Sequence, residues 1–247
     1  ALACKNSIAT GNVCVTNGAT EAIYLIAQAF RGSRTSIVIP TFSEYEDACT
    51  IHAHQLQFVT LLDDIDANVE LVWLCNPNNP TGTIYNKDYL ISFVNQHPNT
   101  YFVFDQSYEA FCSQELLSTQ EAIDLPNVIL LHSLTKCFAI PGLRLGYITA
   151  QEHLITRIVA YRMPWSVNQL AIEAGKFLIH LDINSNLPQR IEEAKALYDE
   201  LLQINGLDIL PSQTLFFLCR LKDKKAADLK NYLIQEQQMN LVILISS

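Results

Sequence analysis

The sequence predicts an α/β fold with a mostly parallel central sheet, followed by a smaller α+β domain. Short runs rich in β-branched and aromatic residues alternate with helical patterns along most of the chain. Several of these runs are almost wholly apolar, as in strands buried on both faces of a sheet. Near Leu178 the pattern changes to a long, charged amphipathic helix. We therefore predict a large domain at residues 1–177 and a small domain at residues 178–247.

The predicted elements follow in order. A strand at residues 12–17 leads directly into a helix at residues 18–30. The further strands of the large domain are predicted at residues 35–40, 55–62, 70–76, 100–105 and 127–133, with helices at 85–97 and 113–123. The small domain is predicted to contain a helix at 187–204, strands at 207–212, 215–221 and 241–245, and a helix at 225–238.

Two features of the sequence suggest that residues are missing. The link between the strands at 55–62 and 70–76 is close to the shortest that can cross over between parallel strands. The last predicted strand ends the chain without a following element. We expect an absent N-terminal arm, a shortened small domain and an internal gap.

Composition and charge exclude several partners. The formal net charge is -9, and no run of basic residues with interleaved aromatics would meet a phosphate backbone, so we expect no nucleic-acid partner. The longest apolar stretches are strand-sized, well below the roughly 20 residues of a membrane helix, so no membrane span is expected. The first residues do not resemble a signal peptide. A cytoplasmic protein is expected.

Cysteine and histidine residues give weak signals. Seven cysteines are scattered singly without a C-x-x-C pair, which indicates reduced and mostly buried thiols. Cys137 could be a nucleophile, but no histidine or other base lies at a recognisable spacing. His52 and His54 could be metal ligands, but without a third ligand nearby a core or surface role is favoured. We predict no metal site.

The stretch TNGATEA places a strand end directly before a helix. Gly18, Ala19 and Thr20 would present free N–H groups and a hydroxyl at the positive end of the helix dipole, which suits a phosphate. A plain N-cap by Thr20, with Gly18 serving the turn, explains the same residues. Taken alone, the stretch favours the N-cap.

Two further motifs follow predicted strands. CNPNNPTG, residues 75–82, makes a rigid loop at a carboxyl end of the sheet, where α/β proteins bind ligands. Asp105 ends a strongly apolar strand, where an ionised carboxylate is costly unless a cation meets it. Tyr108 offers a phenol three residues later. Together they indicate a ligand site.

A single lysine stands out in HSLTKCFAIPGLRLGY, residues 132–147. Ser133, Thr135 and Lys136 follow a predicted strand, and Arg144 comes eight residues after the lysine. Lysine is seldom buried without a purpose, and burial lowers the pKa of a lysine ammonium, which frees the amine to attack an aldehyde. We therefore expect a buried, reactive Lys136.

PNNPTG, D-x-x-Y, S-L-T-K and G-L-R-x-G, in this order, resemble the motif series of the fold type I pyridoxal-phosphate enzymes, the aminotransferase superfamily. The resemblance implies pyridoxal 5'-phosphate as cofactor, covalently bound by Lys136, with Asp105 on the pyridine nitrogen. It implies a cis Asn79–Pro80 bond and a homodimer. The remaining implied contacts are Asn79 and Tyr108 to the phenolic oxygen, Phe42 stacked on the ring, and Gly18, Ala19, Thr20, Ser133, Thr135 and Arg144 around the phosphate. Lys136, Asp105 and Tyr108 are the implied catalytic residues.

Within this superfamily the chain resembles two families, threonine-phosphate decarboxylases and histidinol-phosphate aminotransferases. AIPGLRLGY and MPWSVN, residues 163–168, favour the decarboxylases, so we expect a small phosphorylated amino acid or amine as substrate. The N-terminal arm and the late arginine that bind substrate in both families are not in this chain, so the ligand of the substrate carboxylate is not assigned.

Two other classes remain open. A non-catalytic effector domain would share the cofactor site but should carry a DNA-binding domain, which the sequence does not contain. A dinucleotide-binding enzyme is disfavoured because NGATEA lacks the G-x-G-x-x-G pattern and no ribose-binding acid follows.

Overall fold

The computed structural model describes residues 1–182, 185–222 and 225–237 and contains a seven-stranded sheet. The strands are β1 (Val13–Thr16), β2 (Arg34–Val38), β3 (Gln55–Val59), β4 (Leu71–Cys75), β5 (Tyr101–Asp105), β6 (Val128–Ser133) and β7 (Gly146–Ala150). Their order across the sheet is β1-β7-β6-β5-β4-β2-β3. All pairs are parallel except those of β7, which runs antiparallel to β1 and β6. The mostly parallel sheet is confirmed, whereas β7 was not predicted.

Helices cover both faces of this sheet. They are α1 (Leu2–Lys5), α2 (Gly18–Ala29), α3 (Glu44–Ile51), α4 (Lys87–Gln96), α5 (Thr119–Asp124), α6 (Leu134–Cys137), α7 (Glu152–Val159) and α8 (Gln169–Leu178). Four short 3-10 helices lie at Thr10–Asn12, Leu62–Asp64, Glu109–Phe111 and Pro141–Leu143. The helix predicted at 113–123 is wrong in its first half. Helix α5 begins only after Ser118, whose hydroxyl and N–H exchange hydrogen bonds with Glu121 in a capping box.

The two largest apolar clusters of the described residues form layers on opposite faces of the sheet, and a smaller third cluster contains Leu134, Leu145 and Tyr147. Trp73, Val103 and Ile129 pack with α2, α3 and α7, while their neighbours in sequence face the other layer with α4 and α5. Successive strand residues point to opposite faces, so strands covered on both sides must be apolar throughout. This explains the continuous hydrophobic runs of β4, β5 and β6.

The crossover from β3 to β4 is short. Residues 60–70 pass over β2 to the far side of that strand and contain only the 3-10 turn Leu62–Asp64. The chain spans this crossover with a short loop, and the internal gap stays a prediction.

His54 has a structural role in the large sheet. Its two ring nitrogens lie 2.7 Å from Thr35 Oγ1 and 2.8 Å from the Ala27 carbonyl oxygen. These contacts join β2 to α2, as the core interpretation of this residue predicts.

The C-terminal part contains a second, smaller sheet. Strands β8 (Leu207–Ile209) and β9 (Cys219–Leu221) pair antiparallel, between α9 (Leu187–Leu201) and α10 (Ala226–Gln237). The strand predicted at 215–221 is shorter than expected, and that predicted at 241–245 lies outside the described residues. The boundary at residues 177 and 178 stays a prediction. In the described ranges, every helix is too short or too polar to cross a bilayer.

Candidate functional site

The site lies where three adjacent parallel strands end. Strands β4, β5 and β6 are neighbours, and the NPNNPTG loop, Asp105 and Ser133 follow or close them at one edge of the sheet. Crevices outside the carboxyl ends of parallel strands are the usual ligand sites of α/β folds.

Asp105 is the buried acid of this site. Its side chain accepts hydrogen bonds from the Tyr45 hydroxyl at 2.6 Å and from the Ser107 N–H at 2.8 Å. Burial raises the pKa of the Asp105 carboxyl, while the hydrogen bonds from Ser107 and Tyr45 act in the opposite direction. Both hydrogen-bond donors are neutral, so the cation expected from the sequence is not supplied by these partners.

Asn79, Tyr108 and Lys136 are brought together. The Asn79 side-chain amide donates to the Tyr108 hydroxyl at 2.9 Å, and the Lys136 amine lies 5.8 Å from the centre of the Tyr108 ring. Burial raises the pKa of Tyr108 to about 12, so this phenol keeps its proton near neutral pH. Lys136 itself is exposed, so the expectation of a buried lysine is wrong. The Asn79–Pro80 bond is cis, as predicted, and so are Ile39–Pro40 and Asn76–Pro77.

The start of α2 forms a close-packed cradle with Arg144. Gly18 adopts φ +80°, and a Cβ placed there would lie 2.6 Å from Arg144 Nη2. Helix α2 begins at Gly18 after Asn17, which makes no side-chain cap hydrogen bond. The N-cap role considered for Thr20 is therefore wrong, because Thr20 is inside the first turn. The Glu21 carboxylate accepts from the Asn17 N–H, the Asn17 side chain caps none of the helix N–H groups, and the Arg144 guanidinium lies beside Gly18.

Gly146 joins this cradle to the end of β6. A Cβ at Gly146 would lie 2.8 Å from the Ala19 nitrogen and 2.9 Å from the His132 carbonyl oxygen. Gly146 also pairs in register with Ser133. Ser133 and Thr135 are both buried, and their hydroxyls lie 2.7 Å apart. The predicted phosphate-binding residues therefore come from two segments that meet at one glycine.

Two aromatic residues follow the β2 strand. Phe42 is exposed, and its ring makes an edge contact with Tyr45 at 5.9 Å between centroids. Tyr45 is fully buried, donates to Asp105 and stacks on Trp73 at 5.0 Å. Sequence reasoning named Phe42 but missed Tyr45, three residues further along the same PTFSEY motif.

His132 and Glu109 were also missed. The His132 ring is buried, stacks on Tyr147 at 4.4 Å and places Nδ1 3.2 Å from a Glu109 carboxylate oxygen. His132 directly precedes Ser133, and Glu109 directly follows Tyr108. Their contact therefore joins the S-L-T-K motif to the D-x-x-Y motif. No sequence signal links them, because they are brought together only by the sheet.

The MPWSVN segment borders a cavity of about 390 Å³ next to the SLTK motif. Trp165, Ser166 and Val167 line it together with Leu134. The Trp165 side chain is 97 % exposed, so the alternative that it packs between domains is wrong. Asn168 instead caps α8, because its side-chain oxygen accepts from the Ala171 N–H at 2.8 Å.

Cys137 does not have the properties of a nucleophile. Burial raises the pKa of its thiol to about 12, so the thiolate is scarce near neutral pH. This agrees with the weak sequence signal.

The residues fit pyridoxal phosphate. The N–H groups of the helix start, the guanidinium and the two hydroxyls are donors suited to a phosphate dianion, and the glycine at residue 18 is required by the close approach of Arg144. A buried carboxylate with only neutral hydrogen-bond donors suits a pyridinium. The roles of the individual residues remain predictions.

The Asp105→Asn substitution is expected to stabilise the ligand-free protein more at high pH than at low pH. Burial raises the pKa of Asp105, so the unfolded carboxyl loses its proton at a lower pH than the folded one. The folded wild type is therefore destabilised progressively as pH rises above about 4, whereas asparagine does not titrate. Melting temperatures of both proteins at about pH 5 and about pH 8 measure this difference. An equal difference at both pH values would contradict the buried-acid assignment.

A model of the family "Aminotransferase class I and II" matches residues 5–244. The histidinol-phosphate aminotransferase of Bacillus pumilus is 33% identical over 223 residues, which cover 83% of this chain and 61% of that protein. The chain thus spans about three fifths of this relative's length.

Two solved structures are similar. The L-threonine-O-3-phosphate decarboxylase from Porphyromonas gingivalis superposes with a TM-score of 0.94 at 40% identity, covering 97% of this chain and 75% of that one. The histidinol-phosphate aminotransferase from Clostridium acetobutylicum gives a TM-score of 0.83 at 25% identity, covering 96% and 75%. These findings confirm the fold type I assignment and, through the family, the cofactor. The chain belongs to the class I and II aminotransferase family of pyridoxal-phosphate-dependent enzymes.

Proposed function

We propose that this protein is a pyridoxal-phosphate-dependent enzyme that removes CO2 from a phosphorylated amino acid, L-threonine-O-3-phosphate. The observation that carries the cofactor assignment is the grouping of an amine with a hydrogen-bonded phenol. Lys136 Nζ lies 5.8 Å from the Tyr108 ring, and the Tyr108 hydroxyl accepts the Asn79 amide.

Each group has a defined task in this proposal. Lys136 binds the cofactor covalently and afterwards acts as a base. Asn79 and Tyr108 hold the phenolic oxygen of the ring, and Phe42 stacks on its face. Asp105 keeps the ring nitrogen protonated. When bound, pyridoxal phosphate withdraws electrons from a bond at the substrate α-carbon.

The phosphate is assigned to the cradle. Gly18, Ala19 and Thr20 offer the N–H groups of the helix start, while Ser133, Thr135 and Arg144 offer hydroxyl and guanidinium donors. The lack of a side chain at Gly146 supports this grouping, because a Cβ there would lie within 2.9 Å of both Ala19 and His132.

The choice of reaction depends on which substrate bond is held perpendicular to the cofactor ring. Orienting the carboxylate that way favours loss of CO2, whereas orienting the α-hydrogen favours amino transfer. We assign this choice partly to residues 165–168, of which Trp165, Ser166 and Val167 line the cavity beside Leu134. The 40% identity and TM-score of 0.94 with a decarboxylase, against 25% and 0.83 with an aminotransferase, support decarboxylation. Histidinol-phosphate amino transfer is the second candidate, supported by the 33% identical relative.

Two features support a cytoplasmic homodimer. Exposed apolar side chains cluster in residues 161–177 and suit a contact with a second copy: Tyr161, Met163, Trp165, Leu170 and Phe177. All seven cysteines are free, which suits a reducing compartment.

Lys136→Ala is expected to abolish covalent capture of the cofactor. Borohydride treatment of the wild type with pyridoxal phosphate should fix the cofactor on the peptide containing Lys136, as detected by mass spectrometry. Lys195→Ala, which removes an exposed lysine of α9, is the matched control and should leave the labelling unchanged. Continued labelling of the Lys136→Ala protein at the wild-type level would refute the assignment.

The reaction is tested with two substrates. The protein is expected to release CO2 from L-threonine-O-3-phosphate and to form (R)-1-amino-2-propanol phosphate, without 2-oxoglutarate-dependent amino transfer from histidinol phosphate. Amino transfer without CO2 release would overturn the decarboxylase proposal and leave the cofactor assignment intact.

The homodimer is tested by sedimentation. Wild type should sediment as a dimer, and the double substitution Met163→Ser, Trp165→Ser should shift it toward the monomer, since both side chains are strongly exposed in one chain. Leu202→Ser, at an exposed position after α9, is the control and should remain dimeric. An active wild-type monomer would overturn the dimer proposal.

A further inference from the structure

The C-terminal part of the chain contacts the surroundings of the candidate site through residues 212–216, and Arg190 of α9 lies 5.7 Å from the centre of the Phe111 ring. The backbone of residues 212–216 makes hydrogen bonds with two loops of the large sheet. Gln213 N–H donates to the Gly82 carbonyl at 3.0 Å, and Leu215 N–H donates to the Phe111 carbonyl at 3.0 Å. The Gln213 side-chain oxygen also accepts from the Ile84 N–H at 2.9 Å. One short segment is thus attached to both the PNNPTG loop and the loop after β5.

Aromatic packing strengthens the second attachment. The Phe216 ring lies 5.1 Å from the Tyr108 ring and 6.2 Å from the Phe111 ring, and Tyr108 and Phe111 are 5.5 Å apart. All three pairs have tilted, edge-type geometry, the favourable arrangement for aromatic rings. Phe216 therefore packs directly against the tyrosine that accepts the Asn79 amide.

The first attachment is a close approach of two backbones. Gly82 has φ +70°, and a Cβ at this position would collide with Ser212 Oγ. The end of the PNNPTG loop can therefore rest on residues 212–213 only because residue 82 is glycine. The loop that carries Asn79 is held at this point.

The segment thus contacts Tyr108 directly and contacts the end of the loop that carries Asn79, the hydrogen-bond partner of Tyr108. Asn79 belongs to the loop that Gln213 binds, and Tyr108 packs against Phe216. We infer that Gln213 and Phe216 are positioning residues, which set the placement of Asn79 and Tyr108 toward the cofactor without touching it. This inference rests on the proposed cofactor role of Asn79 and Tyr108.

Phe216→Leu tests the aromatic contact. Leucine keeps an apolar side chain but removes the ring, and an aromatic pair contributes enough that we expect pyridoxal phosphate affinity to fall about 2- to 10-fold. Phe217→Leu is the matched control, because the Phe217 ring packs on Tyr198 of α9 at 5.6 Å, within the C-terminal part. The control should stay within about twofold of wild type, as surface or remote changes usually do. Affinity is measured by titrating the cofactor absorbance.

A double-mutant cycle separates positioning from general loosening. Tyr108→Phe keeps the ring but removes the hydroxyl that Phe216 is inferred to place. In this background, Phe216→Leu should change affinity by less than about twofold, because the two effects are coupled. An undiminished effect in the Tyr108→Phe background would overturn the inference.

Hydrogen exchange of the ligand-free protein tests the other attachment. Gln213→Ala removes the acceptor of the Ile84 N–H, so amide exchange in the peptide covering residues 82–85 should accelerate. Gln235→Ala, on the exposed surface of α10, should leave this peptide unchanged. Unchanged exchange in the Gln213→Ala protein would overturn the role of Gln213.

The outcomes distinguish the two proposals. Failure of the wild type to bind pyridoxal phosphate would overturn the proposed function and this inference together. Normal binding by the wild type with unchanged affinity in Phe216→Leu would overturn this inference alone.

Discussion

The absence of a side chain at Gly146 is the constraint on which the site depends. This residue lies in β7, between β1 and β6, and the start of α2 and the end of β6 approach it from opposite sides. Any Cβ there would lie within 2.9 Å of both backbones. This close approach supports our proposal that the N–H groups at the start of α2 and the Ser133 hydroxyl bind the same phosphate. Arg144, two residues earlier, completes the group by packing against Gly18.

The electrostatic arrangement at Asp105 complements this steric one. A carboxylate at the end of an apolar strand carries a large desolvation cost, and its two hydrogen-bond donors, Tyr45 and Ser107, bring no positive charge. Burial raises the pKa of Asp105, and the hydrogen bonds from Ser107 and Tyr45 and the nearby His132 offset this effect only in part. Sites that bind a charged group tightly are often costly to the protein that carries them. Here the desolvation cost falls on Asp105.

Sequence reasoning reached the motifs that lie within continuous segments and missed contacts between distant segments. The strands β4, β5 and β6 were predictable because their apolar runs are bounded by turn residues, and PNNPTG and SLTK follow those runs directly. Strand β7 was missed because GYITA begins at the last glycine of the G-L-R-x-G motif, so its first residue had already been assigned to that motif. Lys136 was expected to be buried from its apolar neighbours in sequence, but α6 presents it at the surface. Tyr45 and His132 could be assigned contacts only from the three-dimensional structure.

The contacts between the C-terminal part and the site show the same limit. Nothing near Phe216 in the sequence indicates Tyr108 as a partner, and Gly82 reads as an ordinary turn glycine until Ser212 is placed beside it. A residue whose identity is required by a contact with a distant segment leaves no recognisable pattern in its own stretch of sequence. The fold class and the cofactor motifs were therefore accessible from sequence, whereas the interactions that hold those motifs in place were not.

Among the strands that the structure describes, β1 pairs with β7 alone, and Val13 lies opposite Thr149. Such a pairing closes a loop that contains nearly the whole of the large sheet, and contacts between residues so distant in sequence form late and slowly in folding. On the ribosome, β1 emerges first but has no partner in the sheet until β7 has been synthesised. The turn at Gly18 follows β1 directly and depends on the same pairing. The segment that we propose binds phosphate is consequently encoded at the start of the sheet, whereas the strand that holds it in place is encoded at the end of the sheet.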